Sequence, residues 1–137
     1  MTAEKAGQAG GKILVMDDEE IIRKMLKNML SLAGYTVEIS ADGTEALAKY
    51  QQARNTGDPF NAVIMDLTIP GGMGGREAVQ KLLEIDPNAI AIVSSGYATD
   101  AIMSDYEAYG FKAVIAKPYS AKQLQETLSG LLTRKKK

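Results

Sequence analysis

The sequence predicts a doubly wound α/β domain, a five-stranded parallel sheet with helices on both faces. Three observations carry this. Five short apolar runs alternate with five stretches of helical periodicity. Three of the runs are apolar throughout, as strands buried on both faces must be. The polar residues of chemical interest fall just after these runs, where open parallel sheets bind ligands.

Composition sets limits on the chemistry. The 137 residues suffice for one domain with its own core. A hydrophobic content of 45% and a charged content of 24% are those of a soluble globular chain. The net charge of -1 gives no global pull towards nucleic acid or an anionic membrane. No apolar run has the length of a membrane span and no secretory signal is visible, so the expectation is a cytoplasmic protein without a nucleic-acid or membrane partner. There is no cysteine, which excludes disulfides, thiolate catalysis and cysteine-type zinc sites. There is no histidine, which excludes a histidine-based triad, a histidine-ligated metal and a phosphohistidine within this chain. Any metal would be held by oxygen, which favours Mg²⁺ or a similar hard cation.

Residues 1–11 read as a flexible leader, 12–133 as the folded domain and 134–137 as a basic, solvated tail. Lys12 to Met16 is the first strand. It runs into Asp17-Asp18-Glu19-Glu20, acidic residues that suit a helix N-terminus. Ile21, Ile22, Met25, Leu26, Met29 and Leu30 then recur at helical spacing, and Gly34 is a stop. Tyr35 to Ile39 alternates apolar and polar, as an edge strand does. Asp42 and Glu45 resemble a capping box for a helix through about Ala53. Thr56-Gly57-Asp58-Pro59 breaks that helix.

Phe60 to Asp66 is the third strand, followed by the loop Pro70-Gly71-Gly72-Met73-Gly74-Gly75. The next helix turns Ala78, Val79, Leu82, Leu83 and Ile85 inward and stops before Pro87. Ala89 to Val93 is the fourth strand, ending at Ser94-Ser95-Gly96. A shorter helix from about Thr99 to Tyr109 ends at Gly110. Lys112 to Ala116 is a short fifth strand, ending at Lys117-Pro118. Ser120 with Gln123 caps a last helix carrying Leu124, Leu128, Leu131 and Leu132. The apolar first, third and fourth strands belong in the centre and the other two at the edges. That is the flavodoxin-like order 2-1-3-4-5, with its switch point between strands one and three.

Asp17 and Asp18 follow strand one, Asp66 ends strand three, Ser95 ends strand four and Lys117 ends strand five. Each alone has an ordinary role as a cap, a turn residue or a solvated lysine. Together they crowd three carboxylates at one place. Two unit charges about 4 Å apart repel by roughly 4 kcal/mol at an effective dielectric of about 20, so such a cluster calls for a divalent cation. Lys117 and the Ser95 hydroxyl supply a positive charge and a donor opposite. A carboxylate nucleophile, a metal, a lysine and a hydroxyl fit a phosphoryl group, with Asp66 attacking phosphorus to give an aspartyl phosphate.

Asp17-Asp18, Asp66 with Pro70 four residues on, Ser95-Gly96 and Lys117-Pro118 resemble the response-regulator receiver domain of two-component signalling, over roughly residues 12 to 133. The resemblance implies that Asp66 is the phosphoacceptor, that Asp18 binds Mg²⁺ directly and that Asp17 helps through water. Asp66 itself and the backbone carbonyl of Thr68 would complete the ligands. Ser95 would be the switch hydroxyl, Lys117 the phosphoryl-pairing lysine, and the Lys117-Pro118 bond would be cis. Three departures stand out. Val114 replaces the aromatic residue often found three positions before the lysine. The loop after Pro70 is one residue longer than usual and resembles receivers attached to hybrid sensor kinases. Thr68 and Tyr97 flank the site, and the bulk of Tyr97 implies a longer-lived acyl phosphate.

Without its own histidine, the chain would take its phosphoryl group from a histidine kinase or a histidine phosphotransfer domain, docking beside the first helix. The resemblance places output, to a second copy or a downstream protein, on the face of the helix ending at Tyr109, the fifth strand and the last helix. Tyr106, Tyr109 and Tyr119 lie on or near it. The alternatives are a Mg²⁺-dependent phosphohydrolase with an aspartyl nucleophile, which would want an acid where Thr68 stands, and a binding module that works without phosphorylation. A nucleotide- or flavin-binding domain would want a glycine-rich phosphate loop after strand one, where Asp17-Asp18-Glu19-Glu20 would repel phosphate without a metal.

Overall fold

The computed structural model describes residues 11–96, 104–117 and 120–135. Five parallel strands form one sheet in the order β2-β1-β3-β4-β5. They are β1 (Lys12–Met16), β2 (Thr36–Ser40), β3 (Ala62–Asp66), β4 (Ala91–Ser95) and β5 (Ala113–Ala116). The helices among the described residues are α1 (Glu20–Leu32), α2 (Gly43–Asn55), α3 (Gly75–Ile85) and α4 (Ala121–Lys135). This is the expected doubly wound, flavodoxin-like order. β3 and β4 are buried throughout and β1 is buried except at Lys12, while β2 and β5 take the two edges.

Side-chain alternation splits the core into two layers. Leu14, Met16, Val63, Met65, Ala91 and Val93 face α2 and α3, where Ala46, Tyr50, Val79 and Leu82 close over them. Ile13, Val15, Ile64, Ile92 and Ile115 face α1 and α4 and pack on Leu26, Leu30, Leu124 and Leu128. Tyr50 is buried, stacks on Phe60 with ring centroids 6.0 Å apart, and donates to Asp86 Oδ2 at 2.7 Å. Burial and the Asp86 carboxylate push its hydroxyl pKa well above the ordinary range. Arg54 Nη1 donates to the carbonyl of Ile85, so α2 and α3 are tied together at the end of the sheet away from Asp66.

Local sequence signals act as expected, with shifts at the boundaries. Asp42 Oδ1 accepts from Glu45 N at 2.9 Å, and Glu45 Oε1 accepts in return from Ala41 N, one residue before the cap. Ser120 Oγ accepts from Gln123 N at 3.1 Å. Gly34 has φ 101°, a left-handed conformation that only glycine adopts freely, and it stops α1. The strand read as Ala89 to Val93 instead runs Ala91–Ser95, taking both serines into the sheet. Four α-helices stand among the described residues where five are expected. Of the stretch read as a helix from Thr99 to Tyr109, residues 99–103 lie outside those described. Tyr106–Tyr109 is a 3-10 helix, closed by Gly110 at φ 105°. Ile21, read as part of the inward face of α1, is 79% exposed, because the acidic turn before it starts the helix with Ile22 and Leu26 towards the sheet.

Two substitutions separate the real core from the apparent one. Leu128→Ala should lose about 2–5 kcal/mol of stability in urea unfolding, because the fully buried side chain leaves a cavity. Ile21→Ser should stay within about 0.5 kcal/mol of the parent.

Candidate functional site

The carboxyl ends of β1, β3, β4 and β5 meet at one cleft. Asp17 follows β1 and is buried, with 1% exposure. Its backbone N–H donates to Ser40 O at 3.1 Å, so it extends the ladder to β2 by one rung. Its Oδ1 accepts from Glu19 N at 2.9 Å, which turns the chain into α1. Arg23 on α1 donates to the Asp17 carbonyl at 2.8 Å. Asp18 points out of this turn and is exposed. Asp66 is the last residue of β3 and is buried at its floor.

Lys117 starts on the far side of the sheet. Its N–H donates to Ser95 O at 2.9 Å, so it continues the β4 ladder. Its side chain crosses the end of β4 and brings Nζ to 2.9 Å from Asp17 Oδ2 and 3.5 Å from Asp66 Oδ1. The carboxylate oxygens of Asp17, Asp18 and Asp66 lie within 4.8 Å of one another. A cleft of about 430 Å³ opens beside them, lined by Asp18, Asp66, Thr68, Ser95 and Lys117 together with Glu19. Asp17, Asp18, Asp66, Thr68, Ser95 and Lys117, singled out in the sequence for this site, are therefore together. Asp17 alone stays behind the cleft wall, held by Lys117. Tyr97, Pro118 and Tyr119 lie outside the described residues, as does the Lys117-Pro118 bond.

Three acids against one lysine leave the cluster two negative charges in excess. The effect falls on Asp66, whose pKa is raised from 3.8 to about 6. Burial is the largest cause, repulsion from Asp17 the next, and Lys117 only partly offsets them. Three convergent carboxylates with one exposed member are a hard-oxygen donor set that suits a divalent cation such as Mg²⁺. The carboxylates load one another electrostatically, and a bound cation would relieve that load.

The glycine loop sets the wall of the cleft. A Cβ on Gly74 would lie 2.5 Å from the carbonyl oxygen of Leu67, and one on Gly75 would lie 2.8 Å from that of Asp66. Only glycine lets the start of α3 lie directly against the backbone that carries Asp66. The Met73 carbonyl accepts from Gly43 N, the first residue of α2, at 2.7 Å, and the Met73 side chain packs on Gly43. The glycine loop is thus braced on a neighbouring helix. The sequence marks its glycines but not this brace, nor the Arg23 contact, because both depend on elements distant in the chain or on one rotamer. Val114 is half-buried and packs against the α2–α3 layer, as do Tyr106 and Tyr109. The Tyr109 ring lies under Arg76 at 5.4 Å, and its carbonyl accepts from Gln80, so packing accounts for its position.

The model of the response regulator receiver domain family matches residues 13–129. The chain belongs to the response-regulator receiver family. This receiver is 35% identical over 121 residues to the chemotaxis protein CheY of Thermotoga maritima, covering 88% of this chain and 96% of that protein. It superposes with a TM-score of 0.79 and 25% identity on a chain in the CheX–CheY–BeF3–Mg complex from Borrelia burgdorferi, covering 88% of each. It is 32% identical to part of the sensor kinase CckA of Brucella abortus, over 96% of this chain and 14% of that protein. The likeness to kinase-attached receivers suggested by the glycine loop is therefore the lesser one, beside stronger matches to the free-standing CheY proteins. Receivers are components of signalling systems, and no described helix of this one is long and apolar enough to cross a membrane.

The load on Asp66 has a sign that can be measured. Its folded pKa of about 6 exceeds the ordinary 3.8, so its contribution to stability is full below about pH 4 and is lost as pH rises through about 6. At about 1.4 kcal/mol per pH unit, the ionised form costs roughly 3 kcal/mol. In chelator, the stability of Asp66→Asn relative to the parent should rise by about 2–3 kcal/mol between pH 4 and pH 8. A difference that stays flat across that range, read by urea unfolding, would remove the electrostatic argument.

Proposed function

We propose that this receiver is a phosphoacceptor switch. It would take a phosphoryl group onto Asp66 with Mg²⁺ and pass a conformational signal to a partner. The observation that carries the reading is Lys117 Nζ spanning Asp17 and Asp66 beside a cleft that also holds Asp18, Thr68 and Ser95. Asp18, Asp66 and the Thr68 carbonyl would hold the cation, with Asp17 acting through water. The cation would neutralise charge on the phosphoryl oxygens and on the crowded carboxylates.

Asp66 is the nucleophile. One of its oxygens bonds to phosphorus as the phosphorus–nitrogen bond of a partner's phosphohistidine breaks, and the imidazole leaves with the electron pair. The chain has no histidine, so the donor is a histidine kinase or phosphotransfer domain. Burial keeps Asp66 oriented at the cleft floor. Lys117 turns from the carboxylates to the new phosphoryl oxygens, and the Ser95 hydroxyl donates to one of them. Turnover is limited to this chain's own phosphorylation and dephosphorylation, so it acts as a signalling protein of the cytoplasm rather than as an enzyme. The phosphohydrolase alternative lacks an acid at Thr68, two residues after the nucleophile. A binding module that needs no phosphorylation has no use for a lysine held among three acids.

Switching needs more than one bond. Moving a two-state population from mostly off to mostly on takes about 5.5 kcal/mol of differential interaction. One charge-assisted hydrogen bond supplies roughly 1.5–3 kcal/mol. Ser95 therefore acts together with Lys117, the cation or the partner. The output surface is the segment ending at Tyr109, β5 and α4, open to a downstream protein or a second copy.

Acetyl phosphate with Mg²⁺ should add one phosphoryl group to the parent, seen by mass. Chelator should abolish the addition, and Asp66→Asn should show none. Equal labelling of parent and variant would sink the assignment, and steady phosphate release from many substrates would favour a hydrolase.

A further inference from the structure

Among the described residues, Ser94 Oγ is the one buried side-chain polar atom without a hydrogen-bond partner, on a residue only 1% exposed. A buried hydroxyl left unpaired is costly, and an apolar side chain would serve the resting fold better. Its place in the sheet is specific. Ser94 is in register with Asp66 on β3 and with Ile115 on β5. Registered residues of parallel strands point to the same face, so the hydroxyl shares a face with the Asp66 carboxylate. Lys117, two residues beyond Ile115, must cross the end of β4 to reach Asp66 and Asp17. Ser94 thus lies between the nucleophile and the origin of its lysine. Neighbouring strands stand about 4.8 Å apart, a span that a serine hydroxyl and an aspartate oxygen bridge after one χ1 rotation.

We propose that Ser94 donates a hydrogen bond to Asp66 in the phosphorylated state, on the carboxyl oxygen that is not bonded to phosphorus and that would also hold the cation. This rests on the phosphoacceptor function above. Phosphorylation turns one Asp66 oxygen into the bridging oxygen of the acyl phosphate and leaves the other as a carbonyl, while Lys117 is drawn to the phosphoryl oxygens. In hydrolysis, a water oxygen bonds to phosphorus as the acyl oxygen–phosphorus bond breaks. Asp66 leaves with the electron pair, and the water proton passes to phosphate and solvent. Negative charge returns to the carboxylate in that step, and a donor on its second oxygen stabilises it. Ser94 therefore shortens the lifetime of the phosphorylated state, from the side of the sheet opposite to Ser95.

Ser94→Thr and Ser94→Val add the same bulk and differ only in the hydroxyl. Each is phosphorylated with acetyl phosphate and Mg²⁺ and freed of donor. Loss of the phosphoryl group is then followed by mass, and the acyl carbonyl stretch by infrared difference spectroscopy. The threonine variant should decay near the parent rate. The valine variant should decay about three- to tenfold more slowly, with its carbonyl band at higher frequency. Equal rates and equal bands in the two variants overturn the proposal. Should the larger side chains prevent folding, Ser94→Ala against the parent makes the same comparison. The alanine variant should be no less stable than the parent in the resting state; a loss of stability would show a resting partner for the hydroxyl and overturn it too. A parent that takes no phosphoryl group defeats the phosphoacceptor function itself, whereas phosphorylated variants that behave alike defeat only the role of Ser94.

Discussion

The ammonium of Lys117, 2.9 Å from Asp17 and 3.5 Å from Asp66, is the interaction on which the site depends. Three carboxylates within 4.8 Å of one another would repel strongly without it. One lysine does not balance them, and burial together with the repulsion from Asp17 raises the pKa of Asp66. The site is thus poised for a further positive charge and for an anion that can share the lysine. Asp17 contributes as the buried anchor that holds Lys117 across the sheet, while Asp18 and Asp66 face the cleft.

That crossing is set by the sheet. In the order β2-β1-β3-β4-β5, Asp17 and Lys117 stand on opposite sides of β3 and β4. Alternation puts Asp17, Asp66 and Ser94 on the same face as Ile13, Ile64 and Ile92, at the end where that apolar layer gives out. The same periodicity that buries the core delivers the acids to the cleft. The close approach of α3 to Asp66 and Leu67, which a Cβ at Gly74 or Gly75 would prevent, makes the strand end a fixed floor rather than a loose loop.

The fold and most of the site were legible because they rest on local signals. Apolar runs, the Asp42 and Ser120 caps and Gly34 mark the elements directly. The acids, Ser95 and Lys117 each follow a strand, so topology alone brings them together. Where the reading slipped, the cause was tertiary. Ile21 is apolar and beside the core stripe, but α1 turns its neighbour Ile22 and Leu26 towards the sheet and leaves Ile21 on the exposed side. Ser94 and Ser95 look like turn residues, yet pairing with β3 and β5 draws them into β4.

The sequence by itself determined the strand order, the oxygen-only character of any metal site and the convergence of Asp17, Asp18, Asp66, Ser95 and Lys117. These follow from residue type and from periodicity, which act over a few residues. Only the tertiary structure decided that Lys117 is bound to Asp17 more closely than to Asp66, that Met73 braces the glycine loop on α2, and that Ser94 is buried without a partner. Those facts depend on the lateral spacing of strands and on how side chains meet across them, which no local stretch of sequence specifies.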